Sequence, residues 1–396
     1  MIRPVNPVVV CLTVLSVVLP GSTAIAASEP EDGFEPLFNG TDLNNWICTN
    51  TPEETWTAQN SILICSGEPY GEIRTREMFQ NFILEMEWRH LVPKGNAGIF
   101  LWADDLPSRG VPFHRGIEVQ VLELAAGNSR FHTSHGDVFP IHGAKMDPDN
   151  GRGGTRAFPT EFRVLPAPEW NHFRVTGIDG SVTLAVNGRV VTSGRNCSPR
   201  KGYICLESEG GVVHYRNMRI KRLPDTPITA EHTSIADRGY RSVYTGLTLS
   251  GWRIDKRLPD HVKEANGWIV DDWKLKHRAS GATKRLSCDL PDQTGFVCDF
   301  RLANKSSTAR FFLLGDDKLA GFVDVTDSEI AEHLARPGWW NRLEYDLVSG
   351  NLRAKLNGKE IRRVDVDTDQ ATLILEASGP VDYANLFARS TVPAAQ

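Results

Sequence analysis

One short segment, residues 118–123, carries two acids and an amide in alternation with apolar residues. If the segment is a β-strand, Glu118 and Gln120 lie on one face while Val119 and Val121 point into the opposite layer. Glu123 would join the first two only where a bulge shifts the register. Carboxylates on one face of a sheet are the usual means of acid–base chemistry on sugars. The alternative is an amphipathic strand whose polar face is only solvated.

A histidine-rich loop follows this segment. The spacing of His132, His135 and Asp137 could deliver two imidazoles and a carboxylate to one divalent metal ion. It could also place His135 as a general base, because imidazole titrates near neutral pH. Structural or surface histidines are the alternative. We take Glu118, His135 and Asp137 as candidate catalytic residues, and His132, His135 and Asp137 as candidate metal ligands.

Further polar and aromatic side chains are candidates for contact with a sugar. Glu209 follows Glu207 by two residues, and a later segment keeps the first acid as Glu376 but has Ser378 opposite Glu209. This comparison favours Glu209 as a site residue and Glu207 as scaffold. The full set of candidate sugar-binding residues is Asn96, Trp102, His114, Arg115, Gln120, Glu123 and Glu209.

The chain repeats itself with a gap. The segment 38–46 matches 244–252, and the later dipeptide Asn187-Gly188 matches Asn357-Gly358. The stretch between roughly Leu101 and Pro168 has no match in the second half, so we expect that half to lack the strand that bears Gln120. The repeat predicts a first domain over 34–223, a linker over 224–237 and a shorter second copy over 238–390.

The elements that must position these residues are strands. Short alternating runs bounded by Gly, Asn, Asp and Pro predominate, and each Asn-Gly dipeptide lies between two such runs, as in a type I′ hairpin. The pattern predicts an all-β protein of two tandem sandwiches.

The N-terminal residues have the pattern of an export signal. An apolar stretch from Val8 to Leu19 precedes a small-x-small cleavage site, so we expect residues 1–26 to be removed. No later segment is apolar enough to span a membrane, which predicts a secreted or periplasmic protein. Six cysteines remain after residue 26, and an exported chain could pair them. The net charge of −5, without a basic stripe, makes nucleic acid an unfavourable partner.

The motifs resemble one known family. The opening Phe34-Glu35-Pro36-Leu37-Phe38-Asn39-Gly40, the segment 118–123 and the later segments 169–175, 202–207 and 214–220 resemble the 3-keto-disaccharide hydrolase domain family. The resemblance covers residues 34–223 and is weaker afterwards. It implies concanavalin A-like jelly-roll sandwiches and cleavage of glycosides already oxidised at C3 of the sugar, by β-elimination and hydration. Such chemistry needs a base, an acid and an electrophile, for which Arg115, a histidine or a metal ion could serve.

Two other functions stay open. The segment 118–123 also resembles, less closely, the catalytic strand of laminarinase-type glucanases, but Gln120 stands where those enzymes have Asp. A retaining glycoside hydrolase is therefore the enzymatic alternative. The non-enzymatic alternative is a carbohydrate-binding protein. In each case the expected partner is a carbohydrate or 3-keto-glycoside.

Overall fold

The computed structural model describes residues 33–279, 283–291, 294–315, 318–365 and 371–390. The expected signal segment, residues 1–26, lies outside the described residues. Within the described part of the chain, no helix reaches the length and apolarity that a membrane span requires.

The first half of the described chain is a β-sandwich. Its strands are β1 (Glu35–Pro36), β2 (Trp46–Thr49), β3 (Trp56–Gln59), β4 (Ile62–Cys65), β5 (Gly71–Thr75), β6 (Phe82–His90), β7 (Asn96–Ala103), β8 (Gly116–Leu122), β9 (Val138–Ile141), β10 (Lys145–Pro148), β11 (Asn171–Ile178), β12 (Ser181–Val186), β13 (Arg189–Ser198), β14 (Tyr203–Ser208) and β15 (Val213–Arg222). One sheet has the order β10-β13-β12-β11-β6-β15-β4-β3, with β1 on β15, and the other has the order β2-β5-β14-β7-β8-β9.

The second half forms another sandwich. Its strands are β16 (Arg241–Ser242), β17 (Glu264–Ala265), β18 (Trp268–Asp271), β19 (Lys274–His277), β20 (Lys284–Leu290), β21 (Thr294–Leu302), β22 (Thr308–Gly315), β23 (Lys318–Asp324), β24 (Asn341–Val348), β25 (Asn351–Leu356), β26 (Lys359–Asp365), β27 (Ala371–Ser378) and β28 (Val381–Ser390). The larger sheet has the order β17-β18-β19-β28-β21-β24-β25-β26, with β16 on β28, and the smaller has the order β20-β27-β22-β23. One helical turn, α1 (Ser328–Ala331), precedes β24.

Alternation along the strands builds each core. In the first sandwich Ile99 and Val119 of one sheet pack with Leu84 and Val175 of the other, because successive side chains in a strand point to opposite faces. The predicted Asn-Gly hairpins are present: Asn187 and Gly188 have φ of 48° and 83°, as a type I′ turn requires. The prediction of an all-β protein is confirmed, and the strands form several antiparallel sheets.

The second sandwich does have a strand in the position that β8 occupies in the first. β23 pairs antiparallel with β22, and Phe322 lies opposite Phe312, as Glu118 of β8 lies opposite Phe100 of β7. The expectation that this strand is missing is therefore wrong. Backbone pairing requires only an extended segment, so a strand can form in this position with side chains unrelated to those of β8.

The cysteines do not pair. All six in the described residues, Cys48, Cys65, Cys197, Cys205, Cys288 and Cys298, are free thiols. The expected linker, residues 224–237, lies against the first sandwich: Asn81 donates to Pro224 O at 2.8 Å and Ser234 Oγ donates to Trp102 O at 2.5 Å.

Candidate functional site

The outer face of the sheet β2-β5-β14-β7-β8-β9 carries the polar residues that the sequence singled out. As predicted, Val119 and Val121 of β8 belong to the core. The side chain of Glu118 lies on the other face, above β7. Glu118 and Gln120 are each only 7% exposed. They are therefore not a solvated strand face.

Gly98 of β7 makes room for two acids to meet. A Cβ atom at Gly98 would lie 2.9 Å from Glu207 Oε2 and 3.1 Å from Glu118 Oε1. The two carboxyl groups, from β14 and β8, thus converge above a position where any larger residue would separate them. Glu207 Oε2 is buried and has no hydrogen-bond partner in the structure.

Glu209 extends this acidic cluster toward solvent. The Asn96 amide donates to Glu209, and Gln120 Nε2 donates to Asn96 Oδ1 at 3.0 Å. Arg156 approaches from the loop before β11 and donates to Asp137 Oδ2 at 3.1 Å and to Gln120 Oε1 at 3.5 Å. Asn96, Gln120 and Glu209, three of the predicted binding residues, therefore lie together.

The electrostatics of this cluster favour protonated acids. Burial, followed by the charge of Glu209, raises the pKa of Glu118 well above its ordinary value, and Arg156 only partly opposes this. Burial, followed by the charge of Glu118, likewise raises the pKa of Glu207 well above its ordinary value. Burial also raises the pKa of Glu209. Neighbouring carboxylates cannot all ionise in a desolvated site, so the cluster retains a proton that it can donate.

His114 lies on the same face, beside the acidic cluster. Its side chain is fully buried, and Glu72 of β5 accepts both its backbone N–H, at 2.8 Å, and its Nδ1–H. Because Glu72 already accepts the backbone N–H through the same oxygen, we assign Nδ1 as the donor of the second bond, which leaves Nε2 as the other ring nitrogen. That nitrogen is buried without a partner in the structure. A carboxylate that orients an imidazole in this way prepares it for proton transfer.

Glu72, His114 and Cys205 are also the one group of potential metal ligands that converges among the described residues. A carboxylate, an imidazole and a thiol would suit Zn²⁺. However, the imidazole nitrogen that faces this group is Nδ1, which already bonds to Glu72, and Cys205 Sγ lies 3.9 Å from it. The three ligand atoms lie within 4.8 Å of one another, so these side chains could hold an ion only if the His114–Glu72 hydrogen bond gave way.

The predicted metal ligands His132, His135 and Asp137 do not converge in the described structure. Asp137 accepts bonds from the backbone N–H of Thr133, at 2.8 Å, and from Arg156. His132 Nδ1 bonds to Ser129 Oγ at 3.0 Å, and the His135 ring stacks on Phe162 at 4.2 Å. Short spacing in the sequence did not bring these groups together because the loop turns each side chain toward its own partner.

Three predicted binding residues have other roles in the structure. Trp102 is fully buried and donates from Nε1 to Gln80 O at 2.9 Å, so it is a core residue. Arg115 forms a paired ionic contact with Asp104, at 2.8 Å for both bonds. Glu123 lies beyond the end of β8, where its carboxylate accepts backbone N–H groups.

Four residues of the site escaped the sequence analysis: Glu72, Gly98, Arg156 and Glu207. Glu72 and His114 are far apart in the chain and meet because β14 pairs with both β5 and β7. Glu207 was set aside because Glu376 matches it. One usable signal was present: a glycine inside a strand, as at Gly98, often marks a close approach.

Comparison with known proteins supports the family resemblance. Residues 33–221 match the 3-keto-alpha-glucoside-1,2-lyase-like domain family. The matching segment contains every member of the acidic cluster. A search of curated protein sequences finds no match.

Several solved structures are similar to about half of the chain. Two are candidate glycosyl hydrolases from Parabacteroides distasonis: one is 22% identical, over 48% of this chain and 94% of its own, with a TM-score of 0.39. The other is 19% identical, over 48% and 99%, with a TM-score of 0.36. The carbohydrate binding module CBM66 from Bacillus subtilis is 11% identical, over 45% and 96%, with a TM-score of 0.33.

Proposed function

We propose that the first sandwich cleaves 3-keto-glycosides by β-elimination followed by hydration. The observation that carries the proposal is the convergence of Glu118 and Glu207 over Gly98, buried and without a paired cation. The match of residues 33–221 to a lyase-like domain family supports the same chemistry.

The reaction has two steps, elimination and hydration, and each step needs two proton transfers. A ketone at C3 acidifies the proton on C2, and a base removes it to give an enediolate. The C1–O bond then breaks, the leaving oxygen takes a proton from an acid, and an unsaturated ketone remains. In the second half, water adds its oxygen to C1 and a proton returns to C2, so that the sum is hydrolysis.

The Glu118–Glu207 pair can supply both groups. Since burial and mutual repulsion leave one proton on the pair, the protonated member donates to the leaving oxygen and the ionised member accepts the C2 proton. His114, oriented by Glu72, provides a further proton acceptor at Nε2 for the hydration step. Arg156, near Gln120, is the cation that can offset charge on the enediolate.

The glucanase alternative finds less support. Gln120, at the position of the modulating acid, carries no charge and bonds to Asn96.

Substrate choice tests the proposal directly. The purified protein is incubated with a 3-keto-glycoside, with the parent glycoside and with laminarin, each with and without chelator, and products are measured by mass spectrometry. We expect turnover of the keto sugar alone, through a transient unsaturated ketone. Turnover of the parent glycoside or laminarin, or sugar binding without any turnover, would overturn it.

A further inference from the structure

The loop that delivers His114 to the site is held by the second sandwich. This segment, residues 104–113, connects β7 to β8 and is called the site loop below. It lies against the outer face of the larger sheet of the second sandwich, where Asp299, Arg342 and Asn385 form a cluster. Asp299 is fully buried and Asn385 is 1% exposed.

We propose that the second sandwich is a positioning element of the catalytic site, and that Asp299 and Asn385 fix the site loop so that His114 stays on Glu72. The consequence for turnover rests on the function proposed above. The structural part of the inference does not.

The cluster binds the backbone of the site loop at several points. Asp299 Oδ2 accepts the N–H of Gly110 at 2.8 Å. Asn385 Nδ2 lies 3.0 Å from the carbonyl oxygens of both Ser108 and Val111. Arg342 donates to Pro107 O at 3.0 Å. Backbone groups in a loop usually bond to water or to their own neighbours, so this set specifies one loop conformation.

The cluster is itself rigid. Arg342 donates to both oxygens of Asp299, at 2.6 and 2.9 Å, and Asn385 donates to Asp299 at 2.7 Å. Arg342, whose side chain is 21% exposed, therefore neutralises a carboxylate that is fully buried. A buried charge with these partners has little freedom to move.

Two neighbouring segments of the first sandwich reach the same surface. Asn50, just after β2, donates to Asn385 Oδ1 at 2.7 Å and to Pro112 O at 3.3 Å. The N–H of Tyr70, just before β5, donates to Asp272 at 2.6 Å. The second sandwich thus contacts the segment before Glu72 as well as the loop before His114. Glu72 and His114 are the two members of the imidazole–carboxylate pair.

Gly110 allows the closest approach of the loop. Its φ is +75°, and a Cβ atom there would lie 2.3 Å from the ring of Trp340. An alanine at this position would strain the backbone and push the loop off the second sandwich, without altering either core.

Matched controls exist for both contacts. Asn217 occupies on β15 the position that Asn385 occupies on β28, with φ of 52° against 49°, and it bonds to Glu87 at 3.2 Å. Gly251 also has positive φ, +83°, but nothing lies within 4 Å of its Cβ position.

The experiment compares full-length Asn385→Gly and Gly110→Ala with Asn217→Gly and Gly251→Ala. Glycine replaces asparagine because it adopts positive φ without strain. Hydrogen exchange of peptides covering residues 104–113 reports loop order, and the NMR signal of the His114 Nδ1 proton reports its bond to Glu72. Steady-state kinetics on a 3-keto-glycoside report turnover.

We expect exchange in the site loop to rise at least about tenfold in the two test variants, with loss of the imidazole proton signal. The kcat should fall about tenfold with KM little changed, since a proton-transfer group is misplaced and a binding contact is not lost. Both controls should resemble the wild type.

Wild-type loop exchange in Asn385→Gly and Gly110→Ala would overturn the inference, and so would faster exchange with an unchanged imidazole signal. Unchanged kcat in an active enzyme whose loop exchanges faster would equally overturn it. If the wild type turns over no 3-keto-glycoside, the proposed function fails, while the exchange and NMR measurements still decide whether the second sandwich fixes the loop.

Discussion

The two sandwiches treat one sheet position in opposite ways. In the first, Glu207 of β14 lies opposite Glu72 of β5 and beside Gly98 of β7. In the second, Glu376 of β27 lies opposite Arg285 of β20 and Arg310 of β22. The backbone pairing is the same, and the charge that surrounds the acid is reversed.

The pKa values follow this reversal. Burial and the charge of Glu118 raise the pKa of Glu207 well above its ordinary value. Burial would also raise the pKa of Glu376, but its bonds to Arg310 and Arg285 outweigh burial and lower it. Arg310 further pairs with Asp324, the residue opposite it on β23, at 2.7 Å.

The comparison indicates that the acid at this shared sheet position can take part in proton transfer only where no cation pairs with it. An ion-paired carboxylate is a fixed anion and cannot exchange protons near neutral pH. A desolvated acid beside another acid keeps its proton to a higher pH than a free acid does. The second sandwich has therefore kept the sheet without the conditions for proton transfer on it.

The largest expected effect comes from removing the acid that β8 adds to this face. Glu118→Gln should lower turnover of a 3-keto-glycoside by at least about a hundredfold, since a positioned proton donor contributes two to four orders of magnitude. Asp324→Asn, on the corresponding strand of the second sandwich, should leave turnover near normal. The measurement is kcat in variants whose thermal stability is unchanged. Equal losses of kcat in the two variants would show that the two sheets do not differ in their contribution to turnover.

A smaller loss should follow from separating the two acids. Gly98→Ala would place a methyl group within about 3 Å of both carboxyl groups, which can shift because they are ends of flexible side chains. We expect kcat to fall about tenfold from this displacement. Gly154→Ala, where the nearest atom is 3.7 Å away, is the control. Wild-type kcat in Gly98→Ala would show that the close contact of the acids is not required.

Much of the fold could be predicted from the sequence, because alternation and Asn-Gly turns are local signals. The faces of Glu118 and Gln120 followed from the period of a strand. Glu207 could not be recognised as a site residue, because the sequence matches it to Glu376. That match does not reveal that Gly98 of the first sandwich lies where the second sandwich has Arg310. The Glu72–His114 pair depends on long-range strand pairing, for which the sequence carries no local pattern.

Stability should change in the opposite direction to activity at Glu207. Its raised pKa means that the folded state binds more protons than the unfolded state, so stability falls as pH rises from the unfolded pKa toward the folded pKa. Glu207→Gln should remove this loss and stabilise the protein by about 1 kcal/mol at pH 8. Urea denaturation at pH 4 and pH 8 measures this, and a gain that does not grow with pH would contradict a retained proton.

Removing a cation in the second sandwich should have the reverse effect. Arg310→Ala leaves Glu376 with Arg285 alone, and we expect a loss of about 0.5 to 1 kcal/mol at pH 7 because the pair is partly exposed. The loss should shrink at low pH, since a lowered pKa stabilises the fold above the unfolded pKa and the contribution disappears as pH falls through the folded value. A change in kcat would show that this sheet contributes to the reaction.

The smallest effect is expected at Glu123, which the sequence placed among the sugar-binding residues. Its carboxylate accepts the backbone N–H groups of Lys94 and Ala125, each at 2.7 Å, and of Ala167 at 3.1 Å. Burial would raise the pKa of Glu123, but these three donors lower it. The residue thus links two loops to the end of β8.

Glu123→Gln keeps the shape of the side chain and weakens three charge-assisted bonds, so we expect a loss of about 0.5 kcal/mol at pH 7 with kcat and KM unchanged. Because the folded pKa is lowered, the difference from wild type should vanish as pH falls through that value. Paired urea denaturation and kinetics separate the two roles. An unchanged stability with a raised KM would show that Glu123 does belong to the sugar site and that this site extends past the end of β8.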